Sequence, residues 1–405
     1  MSRKIQNIAE DNSLLMSQEH FRNPFSLRVE RFWQWFREHS DTIENSIQQK
    51  RNDSEGINAL MNDGLSIIGE DIYYNIGGHN ELTFCIEEHT ECHHLYPYLV
   101  ASMPEDLGKK WTVFPCKQPD DTAGFVLNMY GKGIDMSELK VSPTYDNEGN
   151  RFDLQYFHPV FAELNEQECL SALYLIIELT IGEGASYNYI NQVYKADNDK
   201  DMIPVSKLAE TMKTIIEANG KKYSTKPESS YFSYSCQPDE EEKRLRLDIV
   251  CGTSRYMALN HEYAEGGHYI YDSLVAKGTA PIMLIMIQPE GMTVEEFLDM
   301  RYQVEDHLIE LFRNSTIKGL FLGGAYGATG TAYIDLLLYD GRQFIDYISK
   351  DDMLCRILSQ ETDGSCPVQL MLKEFTQDSR VYRLKNNNGK KWWNRLFRPF
   401  THKEQ

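Results

Sequence analysis

His89, Cys92, His93 and His94 form the densest run of metal-capable side chains, and their His-x-x-Cys-His-His spacing can set three ligands within one turn at the start of a helix. Zinc takes four protein ligands, or three and a water. Glu87, Glu88 and Glu91 add oxygens, but no second ligand pair follows at a recognisable spacing, so the segment is expected to be an exposed polar helix start, without metal or other cofactor. Asp248, Cys251, His261 and Glu262 have the residue types of an acid, a nucleophile, a base and an orienting carboxylate. Asp248, however, alternates with Leu247 and Ile249, which places it on the solvent face of a strand. Gly323, Gly324, Gly327 and Gly330 follow an apolar run in the manner of a phosphate loop. No Gly-Lys-Ser/Thr closes that loop and a strand pattern follows it, so a bulged hairpin with glycines at positive φ is the expectation. There is no Gly-x-Ser-x-Gly, His-Glu-x-x-His or kinase signature, and no catalytic residue is assigned.

The last segment with chemistry interleaves cations and aromatics: Lys390, Lys391, Trp392, Trp393, Arg395, Phe397 and Arg398. Such a mixture suits an anionic membrane surface, single-stranded nucleic acid, or the chain's own acidic body. From Ser379 to Gln405 eight basic residues face one acid, a net of +7, which leaves −27 on the rest of a chain whose total is −20. A body that acidic repels nucleic-acid backbones and favours basic partners.

The elements that must position these groups are legible from period and punctuation. Phe32, Trp33, Trp35 and Phe36 open a helix to about Lys50, and Gly77 to Asn80 join two strands, Asp71–Ile76 and Glu81–Ile86, as a hairpin. A helix follows from about Cys92 to Ala101, then strands at Trp111–Cys116, Phe125–Tyr130 and Phe152–Phe157. Asn165 and Glu168 cap a helix that presents Leu170, Leu173, Ile177 and Ile181. The polar stretch 197–201 reads as a linker. Beyond it come a helix at Val205–Ala218 and strands at Arg244–Val250 and Pro281–Ile287. Thr293-x-x-Glu296 then caps a helix with Phe297, Met300, Val304, Leu308 and Leu311 on one face, and strands Lys318–Leu322 and Ala332–Tyr339 follow. The reading is an α+β chain of two α/β sandwich-like units, the C-terminal one with a ferredoxin-like β-α-β-β order.

The Phe32–Phe36 start resembles that of a bacterial family of domains of unknown function with an aromatic Phe-Trp-x-Trp-Phe N-terminal helix. Similar blocks are Trp111–Pro119, Leu179–Ile190, Arg246–Thr253 with His261–Tyr263, and Gly324–Asp340. The resemblance spans about residues 25 to 345 and implies no activity. The tail after Ser379 lies outside it.

At 405 residues two or three domains are expected. The boundaries drawn are an N-terminal extension at 1–24, an α+β domain at 25–196, a ferredoxin-like domain at 202–378 and the basic aromatic tail at 379–405. Met1–Asn12 is polar, the longest apolar run, Pro281–Ile287, is too short to span a bilayer, and eight scattered cysteines include no Cys-x-x-Cys. These features point to a cytoplasmic chain with reduced thiols. The function expected is non-enzymatic protein binding through an acidic surface, with a basic protein as partner, of immunity or antitoxin-like kind. The alternatives are a motif-poor hydrolase or metal-dependent enzyme, and a peripheral membrane or nucleic-acid adaptor working through the tail.

Overall fold

Two helices begin where their capping boxes place them. Asn165 accepts the amide of Glu168 while Glu168 accepts that of Asn165, opening helix Glu166–Ile181, and Thr293 and Glu296 do the same for helix Val294–Asn314. A computed structural model describes residues 8–9, 12–48, 54–87, 89–121, 124–239, 241–359 and 368–384. Lys390, Lys391, Trp392, Trp393, Arg395, Phe397 and Arg398 lie outside the described residues.

The protein is α+β, and its described residues divide into two units that interleave in sequence. One takes its residues from Arg37–Asn58 and Asp71–Phe232, the other from Met1–Phe36, Ala59–Glu70 and Ser233–Gln405. The domains expected at 25–196 and 202–378 are each contiguous in sequence, whereas these units are not.

In the first of these units a four-stranded sheet runs in the order Ile203–Pro204, Lys140–Asp146, Arg151–Phe157, Ile190–Lys195, with the last pair parallel. Helices Glu166–Ile181 and Leu208–Ala218 cover one face, where Val141, Leu154, Leu173, Ile177, Met212 and Ile216 are fully buried. Each such side chain contributes on the order of 1.5–3 kcal/mol by leaving water. Residues 197–201, read as a linker, connect two strands of this one sheet. No single helix among the described residues is long and apolar enough to cross a membrane; the pair Glu166–Ile181 and Glu183–Tyr189 has the composition, but bends by 111° and packs into this core.

The other unit is built on an eight-stranded sheet in the order Ile8–Ala9, Val381–Arg383, Leu370–Glu374, Ala280–Ile287, Thr331–Leu338, Gly319–Gly327, Ile249–Ser254, Phe232–Ser235. At its centre strand Ala280–Ile287, helix Val294–Asn314, the hairpin Gly319–Gly327/Thr331–Leu338, helices Gly341–Ile348 and Asp352–Ile357, and strand Leu370–Glu374 follow in chain order. Their strands stand fourth-first-third-second and are antiparallel throughout, the ferredoxin-like order. Phe297, Met300, Val304, Leu308 and Leu311 are buried on this sheet together with Ile282, Leu284, Ile334 and Leu336.

The tail boundary at 379 falls inside that sheet. Strand Val381–Arg383 pairs with Leu370–Glu374, Val381, Tyr382 and Leu384 are buried, and the Ser379 hydroxyl donates to the Glu374 carbonyl at 2.9 Å. A chain cut at 379 would therefore leave one edge of the strand Leu370–Glu374 unpaired.

Candidate functional site

Asp248 is the residue that the structure moves furthest from its expected place. The regular strand begins only at Ile249, because Arg246 takes φ +64° and turns the chain inward. Asp248 is fully buried, not solvent-facing. Its carboxylate accepts the Tyr333 hydroxyl at 2.8 Å, the Thr329 amide at 3.3 Å and the Thr329 hydroxyl. Gly327 makes room, since a Cβ there would lie 2.4 Å from Asp248 Oδ2. Beside it Arg246 and Asp335 form an ion pair with side chains 2 % and 1 % exposed. Arg246 Nη2 also donates to Asn260 Oδ1 at 3.0 Å, and the guanidinium lies 4.7 Å from the Phe375 ring centroid.

Strand alternation explains how a sheet interior comes to hold these charges. Ala332, Ile334, Leu336 and Leu338 enter the apolar core, so Tyr333 and Asp335 point to the opposite face, where Arg246 meets them. Burial pushes Asp335 up to about 6 against the pull of Arg246, and pushes Glu305 up to about 7 against that of Arg301. Arg246, Asp248, Tyr333 and Asp335 are all sealed from solvent, and the arrangement ties the strand hairpin to helix Met257–Glu265 through Asn260.

The other members of the acid–base set are not gathered here. Glu262 accepts the amides of Ile270 and Tyr271 at 2.7 and 2.9 Å and so caps helix Tyr269–Ala276, while His261 and Cys251 are exposed. The glycine-rich segment is the bulged hairpin expected. Its register shifts between Phe321 and Gly323, Gly330 turns at φ +73°, and a Cβ on Gly323 would strike the Thr253 carbonyl oxygen at 2.0 Å.

The histidine segment forms the 3₁₀ turn Thr90–His94, and it is buried rather than exposed. Glu91, Cys92, His93 and His94 are each at most 3 % accessible. His93 stacks on Tyr187 with centroids 3.6 Å apart, and burial, then His94, holds it well below the ordinary imidazole range. His89 stays at the rim, stacked on Tyr73 and 3.4 Å from Glu91. Among the described residues no three His, Cys, Asp or Glu side chains converge as a metal site. Seven of the eight cysteines are described, and none of them is in a disulfide; Cys236 and Cys251 are exposed, and Cys85, Cys92, Cys116 and Cys169 are buried.

Exposed charged and apolar side chains also gather at the corner between helices Gly341–Ile348 and Asp352–Ile357, which no motif in the sequence announces. Asp351 accepts the amides of Met353 and Leu354 at 2.9 and 3.1 Å and caps the second helix. His307 holds its other oxygen at 2.7 Å; burial opposes ionisation of Asp351, but this bond and the amides carry its carboxyl below the usual range. A groove of about 510 Å³ opens there, lined by Asp346, Tyr347, Lys350, Asp351, Asp352 and Met353 among others. Tyr347 is 40 % and Met353 53 % exposed, and Asp346 and Asp352 are exposed beside them.

No family model, curated protein or solved structure matches the chain.

Proposed function

We propose that this chain is a non-enzymatic protein-binding protein whose acidic surface engages a basic partner protein, in the manner of an immunity or antitoxin-like neutraliser. The carrying observation is the groove at the Gly341–Ile348/Asp352–Ile357 corner, where exposed Asp346 and Asp352 flank exposed Tyr347 and Met353. Carboxylates at the rim of a contact speed and select encounter with cations, and an aromatic and a polarizable methionine supply apolar area that slows release. Helix caps and core residues fix the corner: Asp351 is held at the turn, and Phe344, Ile348, Leu354 and Ile357 are buried beneath it. A chain with net charge −20 adds a long-range bias of the same sign, which at physiological salt reaches only about 8 Å and so acts on a partner already close.

The test is affinity capture from the source cell with the full chain and with Asp346→Lys/Asp352→Lys, followed by titration of the captured protein. The expected result is a protein of basic pI, at least tenfold weaker on the charge-reversed chain and weaker with added salt. A partner indifferent to both changes contradicts the proposal.

A further inference from the structure

Strand Ile190–Lys195 ends its sheet, and among the described residues its only strand partner is Arg151–Phe157. Ile190 is buried, Val193 half-buried, and Asn191, Gln192, Tyr194 and Lys195 are exposed. The Ala196 amide donates to the Tyr156 carbonyl at 2.9 Å, so by the alternation of a strand the backbone groups of Tyr194 turn inward and those of Val193 and Lys195 turn to the open side. Lysine at an edge and a register shift against Phe152 and Leu154 are familiar protections of such a strand.

What distinguishes this edge is the groove beside it, about 680 Å³, between the strand and helix Glu166–Ile181. Glu166, Leu170 and Tyr174 stand at i, i+4 and i+8 of that helix and line it, with Tyr156 and Tyr194 from the sheet. Leu170 follows the spacing of core leucines, yet it is only half-buried here and serves the groove wall. Tyr174 and Tyr194 are 37 % and 47 % exposed. The polar chemistry is biased: the Lys195 ammonium is tied to the Phe161 carbonyl at 2.7 Å, whereas Glu166 has no cationic partner among the described residues, and exposed Asp197 and Asp199 follow the strand.

We propose that this edge and groove form a second docking surface, which takes an extended, lysine- or arginine-bearing segment of a partner protein as an added strand. The proposal rests on the reading of the chain as a protein-binding protein. An added strand finds open backbone groups at Val193 and Lys195, and its side chains alternate between the helix side, with Glu166, Leu170 and Tyr174, and the opposite side, with Tyr194. Cations on the helix-facing side stack on Tyr174 and meet Glu166, and those on the other side stack on Tyr194, which shares its face with Gln155. A strand of six residues spans about 20 Å, so roughly six partner residues are read.

The experiment uses the full chain and a labelled dodecapeptide alternating lysine and valine, with two controls: the same peptide N-methylated at every second residue, and one alternating glutamate and valine. The expected result is saturable binding of the first peptide, at least tenfold weaker binding of both controls, and a comparable loss on Tyr174→Ser/Tyr194→Ser with the melting curve unchanged. Equal binding of the N-methylated peptide, or full affinity in the tyrosine variant, overturns strand addition at this edge. Asp346→Lys/Asp352→Lys should bind the peptide as the parent does; loss there would assign the binding to the acidic corner, sinking this inference while leaving the acidic-surface reading intact.

Discussion

Strand Thr331–Leu338 is buried at every residue, whereas strand Ile190–Lys195 is buried only at Ile190. Both carry polar residues among apolar ones, and the difference lies in their neighbours. The first pairs on both sides and is covered on both faces, so Asp335 has no water to turn to and must find Arg246. The second pairs on one side, so Asn191, Gln192 and Tyr194 remain in solvent with open backbone groups beside them. Polar residues in the central strand are thus structural ties, and those at the edge remain available for contact.

The largest expected effect follows from breaking the tie. Asp335→Ala leaves the Arg246 guanidinium buried without its carboxylate and should destabilise its unit by about 3–5 kcal/mol, read by denaturant unfolding. A change below about 1 kcal/mol would mean that water reaches Arg246 and that the two strands do not differ as described.

A smaller, pH-dependent effect should come from Glu305. Its carboxyl is raised to about 7 in the folded chain, above a free value near 4, so folding takes up a proton there. The stability that this carboxyl contributes is full below pH about 4 and is lost as pH climbs through about 7. Glu305→Gln stays neutral, so its stability relative to the parent should rise between about pH 4 and pH 7 and level off above it. A parallel pair of stability-against-pH curves would show that the Glu305 carboxyl is not raised in the fold.

Tyr194→Ser should be the mildest change, within about 0.5 kcal/mol of the parent, because its side chain lies at the surface and nearly half exposed. A loss of several kcal/mol would place Tyr194 in the core and remove the contrast with Tyr333.

Local chemistry made much of this fold legible. Asn165 with Glu168 and Thr293 with Glu296 announce their helices because a capping box is a contact within four residues. The face Phe297 to Leu311 and the Gly77–Asn80 hairpin are visible for the same reason. Burial decided by distant chain was not legible. Asp248 alternates with apolar neighbours just as a solvent-face residue does, and only Tyr333 and Thr329, some eighty residues on, make it internal. His93 reads as polar until Tyr187 stacks on it. Strand Lys140–Asp146 escaped because Pro143 breaks its pattern, which an edge-proximal pairing tolerates. The acidic corner was equally silent: Asp346, Asp351 and Asp352 are ordinary surface residues in sequence, and it is the turn between two short helices that gathers them.

The proposal of an acidic docking corner is tested most directly by amide hydrogen exchange of the full chain, with and without its captured basic partner. Slowed exchange across helices Gly341–Ile348 and Asp352–Ile357, lost with Asp346→Lys/Asp352→Lys, is the predicted result. Saturating partner with unchanged exchange at both helices would contradict it.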